Sequence, residues 1–374
     1  MNRLFKLFGF KSAPMNIGWD SPSNYVRADV AALPAVQRCV TLIANDVARC
    51  PLVVRDADFM VVEDSTITAL FTTAAQAELS GTDFRRWMAS EALLSGNAFA
   101  QIVTDSMGQP VALRPLASSA VSLNEDSNGV LHWTYSGTEI DYASMLHFKG
   151  APSPGNPYWG TSVLSASATS LDAVAQTEAA WNAYTRSGGY GKLVFSHPGA
   201  LQPATRDAMR TAFMSGHMTA AAAGTPIFVG EGMTVTSLSP SWGKDMIELR
   251  AAGARTVANM FGVPAAYLDM SEARTQPEIA QSYVSSCLEI WASTWEAEIS
   301  NKLLAPGLRV RWDWSPVTEG DFKTAGRSYG KLVEVGVLSQ NDVRVRLGFE
   351  PLPGLWEPKP VMSGVTTIET DSAQ

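Results

Sequence analysis

Residues 239–264 read SPSWGKDMIELRAAGARTVANMFGVP and carry the start signal, the spacing and the stop signal of one helix. Ser239 can accept a hydrogen bond as the N-cap, and Pro240 suits the first helical position, where a missing N–H costs nothing. Gly262-Val263-Pro264 supplies a left-handed residue and then a proline, which together end a helix. The sequence therefore predicts a helix over residues 241–261, about 30 Å long at ~1.5 Å per residue. Its apolar or small side chains recur at helical spacing at Met246, Leu249, Gly253, Val257, Met260 and Phe261.

The middle of this helix consists of small residues, Ala251-Ala252-Gly253-Ala254. A glycine inside a helix costs about 1 kcal/mol relative to alanine. Close approach of a neighbouring helix recovers that cost. Two interpretations follow: an ordinary core helix, or a helix that packs against copies of itself around an axis.

A second helix is predicted to begin at a capping box, Thr275-Gln276-Pro277-Glu278, and to end near Leu304. Two tryptophans one turn apart on it are typical of a core. Between the two helices lies a short polar loop at residues 271–276, held at both ends by rigid elements, where function tends to be placed. The apolar stripe of the second helix comprises Ile279, Tyr283, Cys287, Leu288, Trp291, Trp295, Ile299 and Leu303, with Glu289, Glu296, Glu298 and Asn301 mostly off it.

Three further stretches accompany these helices in a fixed order. They are LPAVQRCVTLIA at 33–44 before Cys50-Pro51-Leu52, LSGNAF at 94–99 before VALRPL at 111–116, and GVLSQNDVR at 336–344 before LGF at 347–349.

Taken together, the pattern over residues 33–353 resembles the portal proteins of tailed double-stranded-DNA bacteriophages. The likeness includes a helix that ends in Phe-Gly-Val-Pro, a polar loop with a glutamate, and a tryptophan-containing helix that ends in Asn-Lys-Leu-Leu. It is greatest to the compact portals of long-tailed phages and gene transfer agents. The loop, with Arg274-Thr275-Gln276-Pro277-Glu278, departs from the Tyr-Ser-Asn-x-Glu form common in the family, so its assignment rests on position.

The resemblance implies an α+β fold, a portal-type ring subunit with an α/β wing, a two-helix stem, a small α/β clip insert and a helical crown. The expected parts are an N-terminal arm (1–30), the wing (31–161), the stem helices (162–187 and 241–262), the clip (188–240), a tunnel loop (263–278), a return to the wing (279–317), the crown (318–350) and a C-terminal tail (351–374) that is expected to be disordered.

The resemblance also implies a function and partners. Subunits would form a dodecamer at one capsid vertex of the virion, after assembly in the host cytoplasm. The ring would contact the major capsid protein, the terminase large subunit and the head-tail adaptor, while double-stranded DNA passes through it without sequence preference. No membrane and no cofactor are expected.

Candidate site residues follow from these positions. In the loop, Arg274 is the best candidate for transient contact with phosphate. For the basic residues of the stem, a surface ion pair or a solvated side chain is the alternative. The candidates are Ser271, Glu272, Arg274, Thr275 and Gln276 in the loop, Lys244, Arg250 and Arg255 on the stem, Ala251, Ala252, Gly253 and Ala254 for stem packing, and His197, Arg206, Arg210 and His217 for partner binding by the clip.

The remaining secondary structure is predicted from apolar periodicity and turn residues. A linker is expected at 151–160, where proline and glycine recur. Helices are expected at 35–49, 83–94, 162–187, 202–215, 319–335 and 340–347, with Ser339 as the N-cap of the last, and strands at 52–55, 98–103, 111–116, 130–135, 145–148, 193–196, 227–229, 234–238 and 308–314.

The amino-acid composition excludes some classes of function. The chain has 374 residues, enough for two or more domains, and 17% charged residues against the usual ~25% of soluble domains. With eleven tryptophans, this indicates extensive surface hidden from water. The net charge of −8 argues against tight sequence-independent DNA binding, which needs many lysines and arginines. This net charge is compatible with a channel wall past which DNA slides.

The cysteines and the N-terminal segment give little information about function. Cys39, Cys50 and Cys287 lack metal-ligand spacing and are expected to be buried thiols in a reducing compartment. No apolar run approaches the ~20 residues that span a bilayer. Residues 1–10 are basic and aromatic. They suit an arm that packs on a neighbour or, alternatively, an amphipathic anchor.

Catalytic motifs are missing from the sequence. Residues 155–161 have the glycine spacing of a phosphate loop but threonine where lysine is required. The four histidines are scattered, and Asp126-Ser127-Asn128-Gly129 lacks the bidentate glutamate of a calcium loop. The chain is therefore predicted not to be an enzyme and to bind no metal. The alternatives are a soluble hydrolase that uses His197 or His217, and a scaffold protein that never contacts DNA.

Overall fold

Helices and strands alternate through the computed structural model, which agrees with the predicted α+β class. The structure describes residues 28–62, 65–125, 129–154, 156–186, 193–216, 230, 232–237, 242–269, 276–318, 322–347 and 349–354. None of the helices in these ranges is long and apolar enough to cross a membrane.

The first part of the fold is a pair of helices under a sheet. After a short helix α1 (Ala28–Ala31) come α2 (Pro34–Arg49) and α4 (Gly81–Ser95), two helices that their apolar spacing predicts, and they pack on each other. Ser80 caps α4 by accepting a hydrogen bond from the Asp83 N–H at 3.0 Å. Between the two helices come β1 (Leu52–Arg55), α3 (Ser65–Thr68), a π-helical turn (Ala69–Thr73), β2 (Ala74–Gln76) and β3 (Leu79–Ser80).

Two three-stranded antiparallel sheets follow, in the orders β5-β4-β9 and β6-β7-β8. The four strands predicted in this region are confirmed within two residues at each end, whereas β6 and β8 were missed. The strands are β4 (Asn97–Thr104), β5 (Pro110–Leu116), β6 (Val121–Glu125), β7 (Leu131–Tyr135), β8 (Thr138–Asp141) and β9 (Met145–Lys149).

The predicted linker at 151–160 is wrong. The chain forms a hairpin there, β10 (Ala151–Ser153) with β11 (Asn156–Thr161). Prolines weaken the strand signal, but a distant side chain supports the pairing. Asn97 Nδ2 donates to the Gly160 carbonyl at 2.9 Å, and the Gly160 N–H donates to Asn97 Oδ1 at 2.8 Å.

The middle of the chain contains two helices with a small insert between them. Helix α5 (Val163–Ala166) leads into α6 (Ala168–Arg186), and α8 (Trp242–Phe261) follows the insert. In the insert, β12 (Leu193–Ser196), α7 (Pro203–Gly216) and β13 (Thr234–Ser237) lie within one residue of their predicted bounds. The two strands pair antiparallel, and Phe195 of β12 contacts Phe213 of α7 with ring centroids 4.8 Å apart. The strand predicted at 227–229 and the caps Ser239 and Pro240 lie outside the described residues.

The second predicted helix is one continuous helical run with an irregular turn. It consists of α10 (Pro277–Tyr283), a π-helical turn (Val284–Leu288) and α11 (Glu289–Leu303). The predicted capping box is wrong, since Gln276 is the N-cap and makes no side-chain capping bond. Glu296 was expected off the apolar stripe, but it is buried.

After this helical run the chain returns to the first part of the fold. Strand β14 (Arg309–Trp312) pairs with β1, with Leu52 opposite Trp312, rather than with the three-stranded sheet. Helices α12 (Ser315–Thr318), α13 (Phe322–Glu334) and α14 (Gln340–Arg346) then complete the described chain. Ser339 caps α14 in a capping box with Asp342.

Most buried apolar side chains form one core, which α2, α4, β1, β14 and the run from α10 to α11 share. A second cluster surrounds Phe99, Trp133 and Trp159 in the sheets. The three cysteines are buried free thiols, as expected. Burial raises the pKa of Cys39 and Cys50 to about 12, so both stay protonated at neutral pH.

Candidate functional site

Helices α6 and α8 lie side by side and antiparallel. Arg250 Nε is 2.9 Å from Glu178 Oε1. Further along, a Cβ built on Gly243 would lie 3.1 Å from Tyr184 Oη. Because the contacting residue numbers rise on one helix as they fall on the other, the two helices form the antiparallel pair that the sequence predicts. We refer to α6 and α8 as the stem pair.

Gly253 sets the spacing of the stem pair at its centre. A Cβ on this residue would lie 3.3 Å from Val174 Cγ1 on α6, tighter than most real contacts. Small residues therefore allow close packing within one subunit, which the sequence alone did not distinguish from packing between copies. Of its neighbours, Ala252 is exposed, while Ala251 and Ala254 are half-buried. Packing of these residues between copies stays a prediction.

The stem arginine Arg250 is engaged within the subunit. Besides its bond to Glu178, its guanidinium lies over the Trp181 ring at 5.2 Å from the centroid. This cluster favours the ion-pair alternative for Arg250 over contact with DNA. Lys244 and Arg255 lie at exposed positions on α8.

The end of α8 is clamped to the π-helical turn. Gly262 has φ +74°, and the Val263 N–H donates to the Ala258 carbonyl at 2.9 Å, which closes the helix as predicted. The Phe261 carbonyl accepts from Cys287 Sγ at 3.1 Å and from Trp291 Nε1 at 3.4 Å. The sequence showed the apolar stripe that includes Cys287 and Trp291, but gave no sign of the extra residue in the turn.

Parts of the predicted tunnel loop (263–278) are described. Helix α9 (Ala266–Asp269) lies in its first half, and near its end the candidate Gln276 is exposed and Pro277 is the first residue of α10. Ser271, Glu272, Arg274 and Thr275 lie outside the described residues. The assignment of these four residues to a channel therefore stays a prediction.

In the described part of the insert, the residues predicted for partner binding by the clip make local contacts. His197 Nδ1 lies 3.0 Å from the Gly199 backbone nitrogen. Arg206 Nε is 3.5 Å from the neighbouring Asp207 Oδ1, and Arg210 is exposed. His217 lies outside the described residues. Within the described ranges, no group of three histidine, cysteine, aspartate or glutamate side chains could hold a metal ion.

Of the histidines in the described ranges, the most buried has a structural role. His147 Nε2 lies 2.9 Å from Asn97 Oδ1, and its ring stacks on Phe99 with centroids 4.3 Å apart. Burial lowers the pKa of His147 well below its usual value, so the ring is neutral at neutral pH. It fixes the position of Asn97, which holds the β10–β11 hairpin.

A groove opens beside the stem pair, where α2 begins. It has a volume of about 300 Å³. Its walls are mainly apolar, with the Glu178–Arg250 ion pair at one side. The lining residues are Leu33, Pro34, Ala35, Val174, Glu178, Ile247, Arg250, Ala251 and Ala254.

Solved structures with a similar fold include chains of gene transfer agent particles and a phage portal protein. The chain is 21% identical to the neck of an empty gene transfer agent particle computed with C6 symmetry, with TM-score 0.59, covering 89% of this chain and 94% of that one. The neck of the native particle, computed with C12 symmetry, has TM-score 0.57 at the same identity and coverage. An HK97-family phage portal protein from Corynebacterium diphtheriae is 18% identical with TM-score 0.59, covering 79% of this chain and 97% of that one.

Sequence comparison assigns the family. A search of curated proteins found no match. The profile of the phage portal protein family matches residues 34–348. Because this match spans most of the sequence, the chain belongs to the phage portal protein family, whose members are structural, non-enzymatic ring proteins, as the sequence predicted.

Proposed function

We propose that twelve copies of this chain form a ring at one vertex of a capsid and that double-stranded DNA passes through its central channel. The observation that carries this proposal is the stem pair, which leads through a clamped turn into the predicted tunnel loop. A rigid pair of helices can bring that loop to the same place in every subunit. The C12 symmetry of the neck with a similar fold supports the number of copies.

Other parts of the chain would serve the assembly. The insert between the stem helices would face the terminase large subunit during packaging and the head-tail adaptor afterwards. The sheets and the returning strand β14 would face the major capsid protein. The ring would assemble in the host cytoplasm and remain in the virion.

The net charge of the chain favours transport of DNA over tight binding of DNA. Tight sequence-independent binding releases counterions from many phosphates and needs many lysines and arginines. This chain has a net charge of −8, and Arg250 is held by Glu178 and Trp181. DNA would therefore slide past the wall with few lasting contacts.

Electron microscopy of the purified chain tests the proposal. Negatively stained particles should be rings with an axial hole, with a mass near 480 kDa for twelve chains of 40.1 kDa each. Light scattering after size-exclusion chromatography gives the mass independently. A compact monomer at every protein concentration tested would contradict the proposal.

A further inference from the structure

Three consecutive apolar side chains project from the loop after β1. Phe59, Met60 and Val61 are exposed by 78%, 66% and 60%. Single exposed apolar residues are common on protein surfaces, whereas contiguous ones with polar residues around them mark interaction sites. We call these three residues the apolar tip.

The apolar tip is held in one conformation. Phe59 has φ +63°, which side-chain-bearing residues rarely adopt. Asp56 Oδ1 accepts from the N–H groups of Asp58 and Met60, both at 2.9 Å. Arg55 Nη1 donates to the Phe59 carbonyl at 2.9 Å. A tip ordered in advance loses little conformational entropy when it docks.

The groove beside the stem pair is a suitable acceptor for such a tip. Its apolar walls come from Leu33 and Pro34 on one side and from Ile247 and Ala254 on the other. Its volume of about 300 Å³ is at the lower end of small-molecule pockets, roughly 300–1,000 Å³. That volume suits one or two apolar side chains.

Tip and groove lie on different parts of one subunit. Pro34, the first residue of α2, lines the groove, whereas Arg49 at its other end leads into β1 and the tip. A helix of 16 residues is about 24 Å long. A head-to-tail contact in a closed ring joins two different patches of each subunit. The two patches meet that requirement.

Charge favours this pairing over other occupants. Asp56 and Asp58 lie just before the tip in the sequence. Exposed Arg38 lies one turn after Pro34 on α2 and supplies a positive charge beside the groove, whereas Arg250 in the groove wall is already paired with Glu178. Opposite charges beside an apolar contact fix its orientation. The same aspartates would repel DNA phosphates or an anionic lipid surface.

We propose that each subunit inserts the apolar tip into the groove of the adjacent copy. This inference rests on the ring proposed above and identifies one of its contacts. Phe59 and Met60 would enter the groove, Val61 would lie at its rim, and Asp58 would approach Arg38.

Cysteine cross-linking tests the contact. The double variant Met60→Cys/Ile247→Cys pairs the tip with the groove wall, and the native cysteines give little background because all three are buried. A short bismaleimide should link adjacent subunits into a ladder on a denaturing gel, up to the full ring. The control pair Met107→Cys/Ile247→Cys replaces a methionine that is 83% exposed in the turn between β4 and β5, and it should give no ladder.

The outcomes separate this contact from the ring itself. Rings in the electron microscope with a ladder from the first pair alone support the inference. Rings without a ladder, or an equal ladder from both pairs, overturn the inference and leave the ring proposal intact. Particles that never form rings overturn both.

A second variant tests the contact without introducing a thiol. Phe59→Ser should raise the protein concentration needed for half-assembly at least about tenfold, since burying a phenylalanine side chain has an effect of that size. Met107→Ser, the matched control, should leave the half-assembly concentration unchanged. Equal concentrations for Phe59→Ser and the unaltered chain would overturn the inference.

Discussion

Glu296 on α11 and Trp312 on β14 are joined by a hydrogen bond of 2.8 Å, in which the backbone N–H of Trp312 donates to Glu296 Oε1. Arg311 Nη1 donates to the other carboxylate oxygen at 3.0 Å. Two residues further along the helix, Glu298 Oε1 accepts the backbone N–H of His147 at the edge of another sheet, at 3.0 Å. Side chains of α11 thus cover free strand edges in two sheets, and an unpaired strand edge is otherwise exposed to wrong pairing.

Truncation of Glu296 should destabilise the chain. Glu296→Ala leaves the Trp312 N–H buried without an acceptor, which costs about 1–3 kcal/mol. Chemical denaturation of the purified chain measures the loss in the free energy of unfolding. Glu289→Ala, at an exposed position on the same helix, is the control and should change stability by less than about 0.5 kcal/mol. Equal losses in the two variants would contradict this account.

The buried carboxyl of Glu296 should also make stability depend on pH. Burial raises the pKa of this group above its usual value of 4.5, and the hydrogen bonds from Trp312 and Arg311 only partly offset that effect. A raised folded-state pKa contributes stability below the unfolded value that is lost as pH rises through the folded one. Glu296→Gln keeps an acceptor for Trp312 without a charge. The unaltered chain should therefore lose stability relative to Glu296→Gln as the pH rises from the usual glutamate pKa of 4.5 towards neutrality.

Denaturation curves of both proteins at several pH values check this prediction. The comparison between variants cancels the titration of the other carboxyls, because those are common to both. A rise in the stability of the unaltered chain relative to Glu296→Gln over the same interval would contradict the assigned direction.

The periodicity of apolar residues predicted most helices and strands. The features that it missed depend on contacts between residues that are distant in the sequence. The stripe through Tyr283, Trp291 and Trp295 is buried as expected. Glu296 looked like a surface residue because its acceptor role depends on a strand that lies 16 residues further along the chain. The β10–β11 hairpin looked like a linker because Asn97, 63 residues away from Gly160, supplies its extra hydrogen bonds.

Contacts between distant residues were also missed at the candidate site. Helical spacing placed Arg250 on a stem helix but could not find Glu178, which is 72 residues away. Small residues around Gly253 predicted close packing without identifying the partner. The partner in the described structure is Val174 of the same chain.

Enlarging Gly253 should separate the stem pair and block ring assembly. Gly253→Leu forces its side chain into Val174, because even a Cβ lies within 3.3 Å of that residue. Overpacking of this kind costs about 1–3 kcal/mol. Light scattering should show soluble monomers. Gly330→Leu on α13, where an added Cβ meets nothing within 4 Å, should leave assembly unchanged. Normal rings from Gly253→Leu would contradict the prediction.

The Glu178–Arg250 pair should show energetic coupling within the subunit. Both side chains are partly buried, and Arg250 also covers Trp181. A double-mutant cycle with Glu178→Ala and Arg250→Ala should give a coupling of about 0.5–3 kcal/mol in denaturant unfolding. DNA packaging should fall only as far as stem stability falls. A packaging defect in Arg250→Ala at unchanged stability would instead support contact between Arg250 and DNA.

Removal of the predicted tunnel loop should separate assembly from DNA handling. Deletion of residues 272–275 shortens the connection between α9 and α10, while the stem pair and the clamp at Phe261 remain, so rings should still form. Packaged DNA that resists nuclease, measured in an in vitro packaging assay, should decrease. A Gly-Ser segment of the same length in place of residues 272–275 tests whether side chains or loop length matter. If Arg274 touches phosphate, Arg274→Ala should reproduce part of the defect and Arg274→Lys should not. Normal packaging by the deletion variant would refute the loop assignment while leaving the ring unaffected.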